Sequence, residues 1–119
     1  LKVLVVDDED PVRQILSNLL QREGHVVQTA ASGQQALALL EEQAFDLMVT
    51  DLGMPNMPGD ELIWLVREML PDLPIVLTTG WAGTITPDRQ QELGVDSLLG
   101  KPFSISRVLA SLAEAMDNS

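Results

Sequence analysis

Short apolar runs alternate with longer amphipathic stretches along the whole chain. Val3-Leu4-Val5-Val6 is apolar without interruption, the pattern of a strand covered on both faces, and it stops at Asp7-Asp8. Asp10-Pro11 reads as an N-cap followed by an N1 proline. The helix it opens carries Val12, Ile15, Leu16, Leu19 and Leu20 on one face and has Gly24 as its C′ residue. His25 to Thr29 is the second predicted strand. Ser32 and Gln35 have capping-box spacing ahead of the stripe Ala36, Leu37, Leu39 and Leu40. Leu47-Met48-Val49 is the third strand and ends at another acid, Asp51.

Pro55 and Gly59 bracket the next loop, and Leu62, Ile63, Leu65 and Val66 mark a helix that Pro71 and Pro74 terminate. Ile75-Val76-Leu77-Thr78-Thr79 is the fourth strand. Thr86-Pro87 caps a short helix ending near Gly94, and Ser97-Leu98-Leu99 is a brief fifth strand before Lys101-Pro102. Ile105, Val108, Leu109, Leu112 and Met116 give the last helix its apolar face. Five βα units joined by short connections predict an α/β fold. Its sheet is parallel and doubly wound, with right-handed crossovers and helices on both faces. The carboxyl ends of all the strands then share one edge, where such sheets bind ligands.

Composition narrows the chemistry. The 119 residues make one domain, 1–119, with no linker, repeat or low-complexity stretch. Hydrophobic residues at 45% and charged ones at 21% describe a soluble globular chain rather than a disordered one. Seven Lys and Arg stand against eighteen Asp and Glu, a net charge of -11 that disfavours direct contact with nucleic acid or anionic lipid. No apolar run is long enough to span a membrane and the N-terminus is no signal peptide, so a cytoplasmic location is expected. The absence of cysteine excludes disulfides, thiolate metal sites and cysteine nucleophiles. The single histidine, His25, argues against a histidine triad or a multi-histidine metal centre. Carboxylates, hydroxyls and a lysine are left to act.

Such residues stand at the predicted strand ends: Asp7 and Asp8 after the first, Asp51 after the third, Thr79 after the fourth, Lys101 after the fifth. Singly, each has a plain structural explanation as a helix cap, a packed threonine or a solvated lysine. Together they place three carboxylates on one edge. A single like-charged pair about 4 Å apart costs on the order of 4 kcal/mol at an effective dielectric near 20. Lys101 offsets part of that, and a hard divalent cation with oxygen ligands would offset the rest. A few carboxylates plus waters suit Mg²⁺ better than Ca²⁺, and no EF-hand loop is present. A metal, an ammonium and a hydroxyl around a carboxylate have the parts for phosphoryl transfer, with the middle-strand Asp51 as the candidate nucleophile.

Four stretches, in order and over essentially the whole chain, resemble the response-regulator receiver domain. They are Leu4-Val5-Val6-Asp7-Asp8-Glu9, Asp51-Leu52-Gly53-Met54-Pro55-Asn56-Met57-Pro58-Gly59, Leu77-Thr78-Thr79-Gly80 and Lys101-Pro102-Phe103. The resemblance implies a flavodoxin-like (βα)5 sheet with the strand order 2-1-3-4-5 of the chemotaxis member. It implies that Asp51 accepts a phosphoryl group from a partner histidine kinase or phosphotransfer domain, and that the chain catalyses only its own phosphorylation and dephosphorylation. By the same resemblance, Asp8 would ligate Mg²⁺ directly and Asp7 mostly through water, with the Asp51 carboxylate and the backbone carbonyl of Gly53 as further ligands and Mn²⁺ as a substitute ion. Thr79 would be the switch hydroxyl, Lys101 would contact the phosphoryl group, and the Lys101-Pro102 bond would be cis.

The chain also departs from that family. Where an aromatic residue often stands three positions before the lysine, it has Leu98, and it has no tyrosine. Gly53 and Trp81 occupy the positions that tune water access to an acyl phosphate. The Gly-rich stretch 80–94, poor in apolar anchors, is expected to shift on activation. Trp64 is expected in the core or as partly exposed packing, and His25 as structural. The rival readings are a phosphorylation-independent pseudo-receiver, a Mg²⁺-dependent aspartyl-phosphate phosphohydrolase and a flavin-binding relative. The phosphohydrolase lacks its Asp-x-Asp motif here, because Gly53 stands two residues after Asp51. The flavin reading lacks aromatics and a hydroxyl-rich phosphate loop. A chain starting without Met and stopping soon after its last helix fits a domain cut from a larger protein. A hybrid kinase is the leading context, beside a regulator with an output domain or a stand-alone receiver.

Overall fold

A computed structural model describes residues 1–51, 59–79, 88, 91, 92, 94–100 and 104–118. The order along the chain is β1 (Lys2–Val6), α1 (Asp10–Arg22), β2 (Val26–Ala30), α2 (Gly33–Glu42), β3 (Leu47–Asp51), α3 (Gly59–Met69), β4 (Ile75–Thr79), β5 (Ser97–Gly100) and α4 (Ile105–Asn118). The strands form one parallel sheet in the order β2-β1-β3-β4-β5, which is the expected flavodoxin-like arrangement.

Continuous apolar runs suit these strands because alternate residues serve two cores. Leu4, Val6, Met48, Ile75 and Leu77 face α2 and α3, whose Ala36, Leu40, Leu62, Ile63 and Val66 close that side. Val3, Val5, Leu47, Val49, Val76 and Leu99 face α1 and α4, meeting Leu16, Leu20, Val108, Leu112 and Ala115. Only the edge strand β2 is largely exposed.

The helix ends explain where the elements stop. At the end of α1, the N–H of Gly24 donates to Gln21 O and that of His25 to Leu20 O. Gly24 has φ +87, so this is the glycine-terminated Schellman arrangement. Ser32 Oγ accepts from the Gln35 N–H at 3.2 Å, while Gln35 Oε1 accepts from the Ala31 N–H at 2.7 Å. The capping box thus reaches one residue further back than the usual pattern.

Several expectations need correction. Asp10 is not the N-cap of α1; Glu9 is, without a side-chain cap of its own. The turn is closed instead by Asp7, whose Oδ1 accepts from the Glu9 N–H at 2.9 Å, and Asp10 pairs with Arg13. The second strand begins at Val26 rather than His25, because the N–H of His25 is taken by the α1 terminus. Ile15 is 52% exposed, with Leu16 and Leu20 alone buried on α1; Met116 is 37% exposed, and Ala115 occupies the buried stripe of α4 with Val108 and Leu112. Of the two placements expected for Trp64 the core one fails: it is 61% exposed on the outer side of α3, since Leu62, Ile63 and Val66 fill the inner one. For the short helix before β5, Asp88, Gln91 and Glu92 are helical and Gly94 has φ +74, while Thr86-Pro87 lies outside the described residues.

Candidate functional site

The site is built by register. β1 and β3 are neighbours with Val6 opposite Thr50, so the next residue of each strand, Asp7 and Asp51, falls side by side at the carboxyl edge. Adjacent strands are about 4.8 Å apart. Asp8 follows at the start of the turn into α1. Ligand oxygens of Asp7, Asp8 and Asp51 all lie within 4.8 Å of one another. Asp7 is fully buried, Asp51 is 6% exposed, and Asp8 faces solvent.

Asp7 is held from several sides. Its N–H donates to Ala30 O at 3.1 Å, extending the β1–β2 ladder by one step. Its carbonyl accepts from Arg13 Nη1 at 2.7 Å, and its carboxylate accepts from the Glu9 N–H. These bonds fix the direction in which the carboxylate points. Collecting two nearly buried carboxylates beside a third is unfavourable unless a cation or proton answers them. The donor set is all hard oxygen, with one exposed member leaving room for water, and it fits Mg²⁺. His25 has no part in it: it lies at the other end of the sheet, beside the terminal amine of Leu1 at 3.2 Å.

Thr79 ends β4 level with Gly100 of β5, and Thr78 lies opposite Asp51. The backbone of Thr79 therefore reaches the same edge, and Lys101 comes next in the chain after Gly100. Thr78, the neighbouring hydroxyl, is buried and donates Oγ1 to Thr50 O at 3.4 Å. The Thr79 side chain, Gly53, Trp81, Lys101 and the Lys101-Pro102 bond lie outside the described residues, as does most of segment 80–94. Leu98 is half-buried and packs against the core on the α2–α3 side.

One polar constellation has no counterpart in the sequence reading. Arg67, in the last turn of α3, donates Nε and Nη2 to Gly94 O at 3.0 and 2.8 Å and Nη2 to Asp96 Oδ2 at 2.9 Å. Its Nη1 donates to Pro71 O and Leu73 O. Asp96 Oδ2 also accepts from the Ile75 N–H at 2.8 Å. Arg67 thus ties α3, the turn into β4 and the approach to β5 together at the amino-terminal edge. A basic residue in the last turn of a helix is the only sequence signal, and it does not name a partner 29 residues away.

Comparison with known proteins agrees with this geometry. The family described as the response regulator receiver domain matches residues 3–113. Response regulator protein FleR of Pseudomonas aeruginosa is 34% identical over 112 residues, covering 94% of this chain and 24% of FleR. Sensor histidine kinase RcsC of Salmonella typhi is 36% identical over 111 residues, covering 93% of this chain and 12% of RcsC. The chain therefore spans a quarter or less of these two relatives. The structure of chemotaxis response regulator CheY4 of Vibrio cholerae superposes with a TM-score of 0.88 at 34% identity, over 96% of this chain and 97% of that one.

Proposed function

The chain belongs to the response regulator receiver domain family, and on that premise we propose that residues 1–119 act as one phosphoacceptor domain with Asp51 as the acceptor. The observation that carries this is the meeting of Asp7, Asp8 and Asp51, with oxygens within 4.8 Å, at the end of the central strands. In this reading an Asp51 carboxylate oxygen attacks the phosphorus of a phosphohistidine on a partner kinase or phosphotransfer domain. The new O–P bond forms as the P–N bond breaks, and the leaving ring nitrogen keeps the electron pair and takes up a proton.

Asp7, Asp8 and Asp51 would hold the cation, with the Gly53 carbonyl as a further ligand. When bound, Mg²⁺ supplies positive charge to the phosphoryl oxygens and to the carboxylate cluster. The bonds from Glu9 and Arg13 keep Asp7 aimed, so little reorganisation is needed when the donor arrives. Lys101 contacts a phosphoryl oxygen and the Thr79 hydroxyl donates a hydrogen bond to it. Movement of Thr79 toward the phosphoryl group then carries the signal into the segment that follows β4. The domain works in the cytoplasm with a histidine kinase, and with a kinase or output domain linked to it.

Leu98 favours a second reading, a phosphorylation-independent binding module, because an aliphatic side chain packed into the core replaces the mobile ring. Intact mass after incubation with acetyl phosphate separates the two. The expected result is one added phosphoryl group that requires Mg²⁺ and is absent from Asp51→Asn. No addition, together with no response of tryptophan fluorescence to beryllofluoride, sinks the phosphoacceptor reading.

A further inference from the structure

At the amino-terminal edge of the sheet, a groove of about 660 Å³ opens between the α2–β3 loop and the α3–β4 loop. Leu40, Phe45, Leu70 and Leu73 make its floor apolar, and Met69 forms a lip that is 41% exposed. Exposed Glu41, Glu42, Asp46 and Asp72 stand around it, and among the described residues no lysine or arginine lines it. Among the described residues, Glu41, Glu42 and Asp72 have no ion-pair partner.

Both walls are tied down. Arg67 Nη1 holds Pro71 O and Leu73 O from behind. On the other side the Lys2 N–H donates to Asp46 Oδ2 at 2.7 Å while the Asp46 N–H donates to Lys2 O at 2.8 Å. A groove already formed in this way asks no ordering of an incoming segment's binding surface.

We propose that this groove docks a partner protein segment that inserts an apolar side chain and flanks it with lysine or arginine. The apolar floor argues against a purely ionic ligand, and the ring of carboxylates excludes an anionic one. Met69 offers a pliable thioether to an inserted side chain. Phe45 already carries the Lys2 ammonium 5.1 Å from its ring centroid, so a cation is at home beside this floor. The five residues of β3 put roughly 16 Å between the groove and Asp51. A docked partner therefore leaves the phosphoacceptor edge open, and the proposal stands apart from the phosphoacceptor reading.

The test is an amide NMR titration of the 119-residue chain with a short amphipathic Leu/Lys peptide. Its controls are oligolysine of equal charge and the same peptide with Glu for Lys. Saturable shifts centred on residues 40–46 and 69–74, about tenfold weaker binding of both controls, and a similar loss for Met69→Glu or for Glu42→Lys with Asp72→Lys are expected. Unchanged amide shifts in the rest of the sheet show that the variants remain folded. No shifts, an equal response to oligolysine, or shifts centred on Asp7, Asp8 and Asp51 overturn the proposal. So do shifts at 40–46 and 69–74 on simply concentrating the chain, which would give the groove to a second copy.

Discussion

The two ends of the same strands treat charge in opposite ways. At the amino-terminal edge, Arg67 places all of its N–H donors on oxygens from two neighbouring segments, 71–73 and 94–96, with Asp96 shared between the guanidinium and the Ile75 N–H. At the carboxyl edge, Asp7, Asp8 and Asp51 bring like charges within 4.8 Å. The first arrangement lowers the free energy of the fold unaided. The second gathers like charge and is unfavourable unless a cation or a proton answers it. On the proposed function, stability and function would be kept at opposite ends of the strands, in keeping with the general tendency of functional sites to be locally destabilising.

Removing charge should therefore have opposite signs at the two ends. The largest effect is expected for Arg67→Met, which leaves the half-buried Asp96 carboxylate and the Gly94 and Leu73 carbonyls short of donors. A loss of about 3 kcal/mol is expected, read as a lower urea midpoint with unchanged slope. Arg67→Lys should recover only part of it, because an ammonium cannot supply the five planar donors that reach both segments. A loss below about 0.5 kcal/mol, the level of an ordinary surface change, would show that the network is decorative.

At the other end, Asp51→Asn should stabilise the metal-free protein by about 1–2 kcal/mol through relief of repulsion. Destabilisation instead would mean that the cluster is already neutralised within the fold. Divalent cation sharpens the same contrast. Mg²⁺ at ten times its Kd should raise wild-type stability by about 1.4 kcal/mol, raise Asp8→Asn far less at the same concentration, and leave the deficit of Arg67→Met unchanged. Equal gains for wild type and Asp8→Asn in thermal melts would place the ion elsewhere. The smallest effect lies away from both edges. Ser32→Ala should cost about 1 kcal/mol through loss of the bond from the Gln35 N–H, with no change in the Mg²⁺ response.

Much of the carboxyl edge was legible before the structure. Asp7, Asp8 and Asp51 each terminate an apolar run, and a parallel sheet must bring such ends together. The amino-terminal edge was not legible. The partners of Arg67 lie on separate turns, and carbonyl acceptors leave no mark in a sequence. Asp10 has the right side chain for the N-cap of α1, yet Glu9 takes that place and the bond that closes the turn comes from Asp7. An apolar side chain at helical spacing does not say which neighbour fills the buried stripe, and Met116 and Trp64 stand outside it. Ala115 fills it on α4, and Leu62, Ile63 and Val66 fill it on α3.

The sequence by itself determined the alternation of strand and helix, the shared direction of the strands and the residues at their carboxyl ends, because these follow from local periodicity and chain chirality. Tertiary structure alone decided the register that sets Asp7 beside Asp51, the closure of Arg67 on Gly94 and Asp96, and the groove between the α2–β3 and α3–β4 loops. Each of these joins segments far apart in the chain, and such contacts exist only once both cores have packed and fixed the strands against one another.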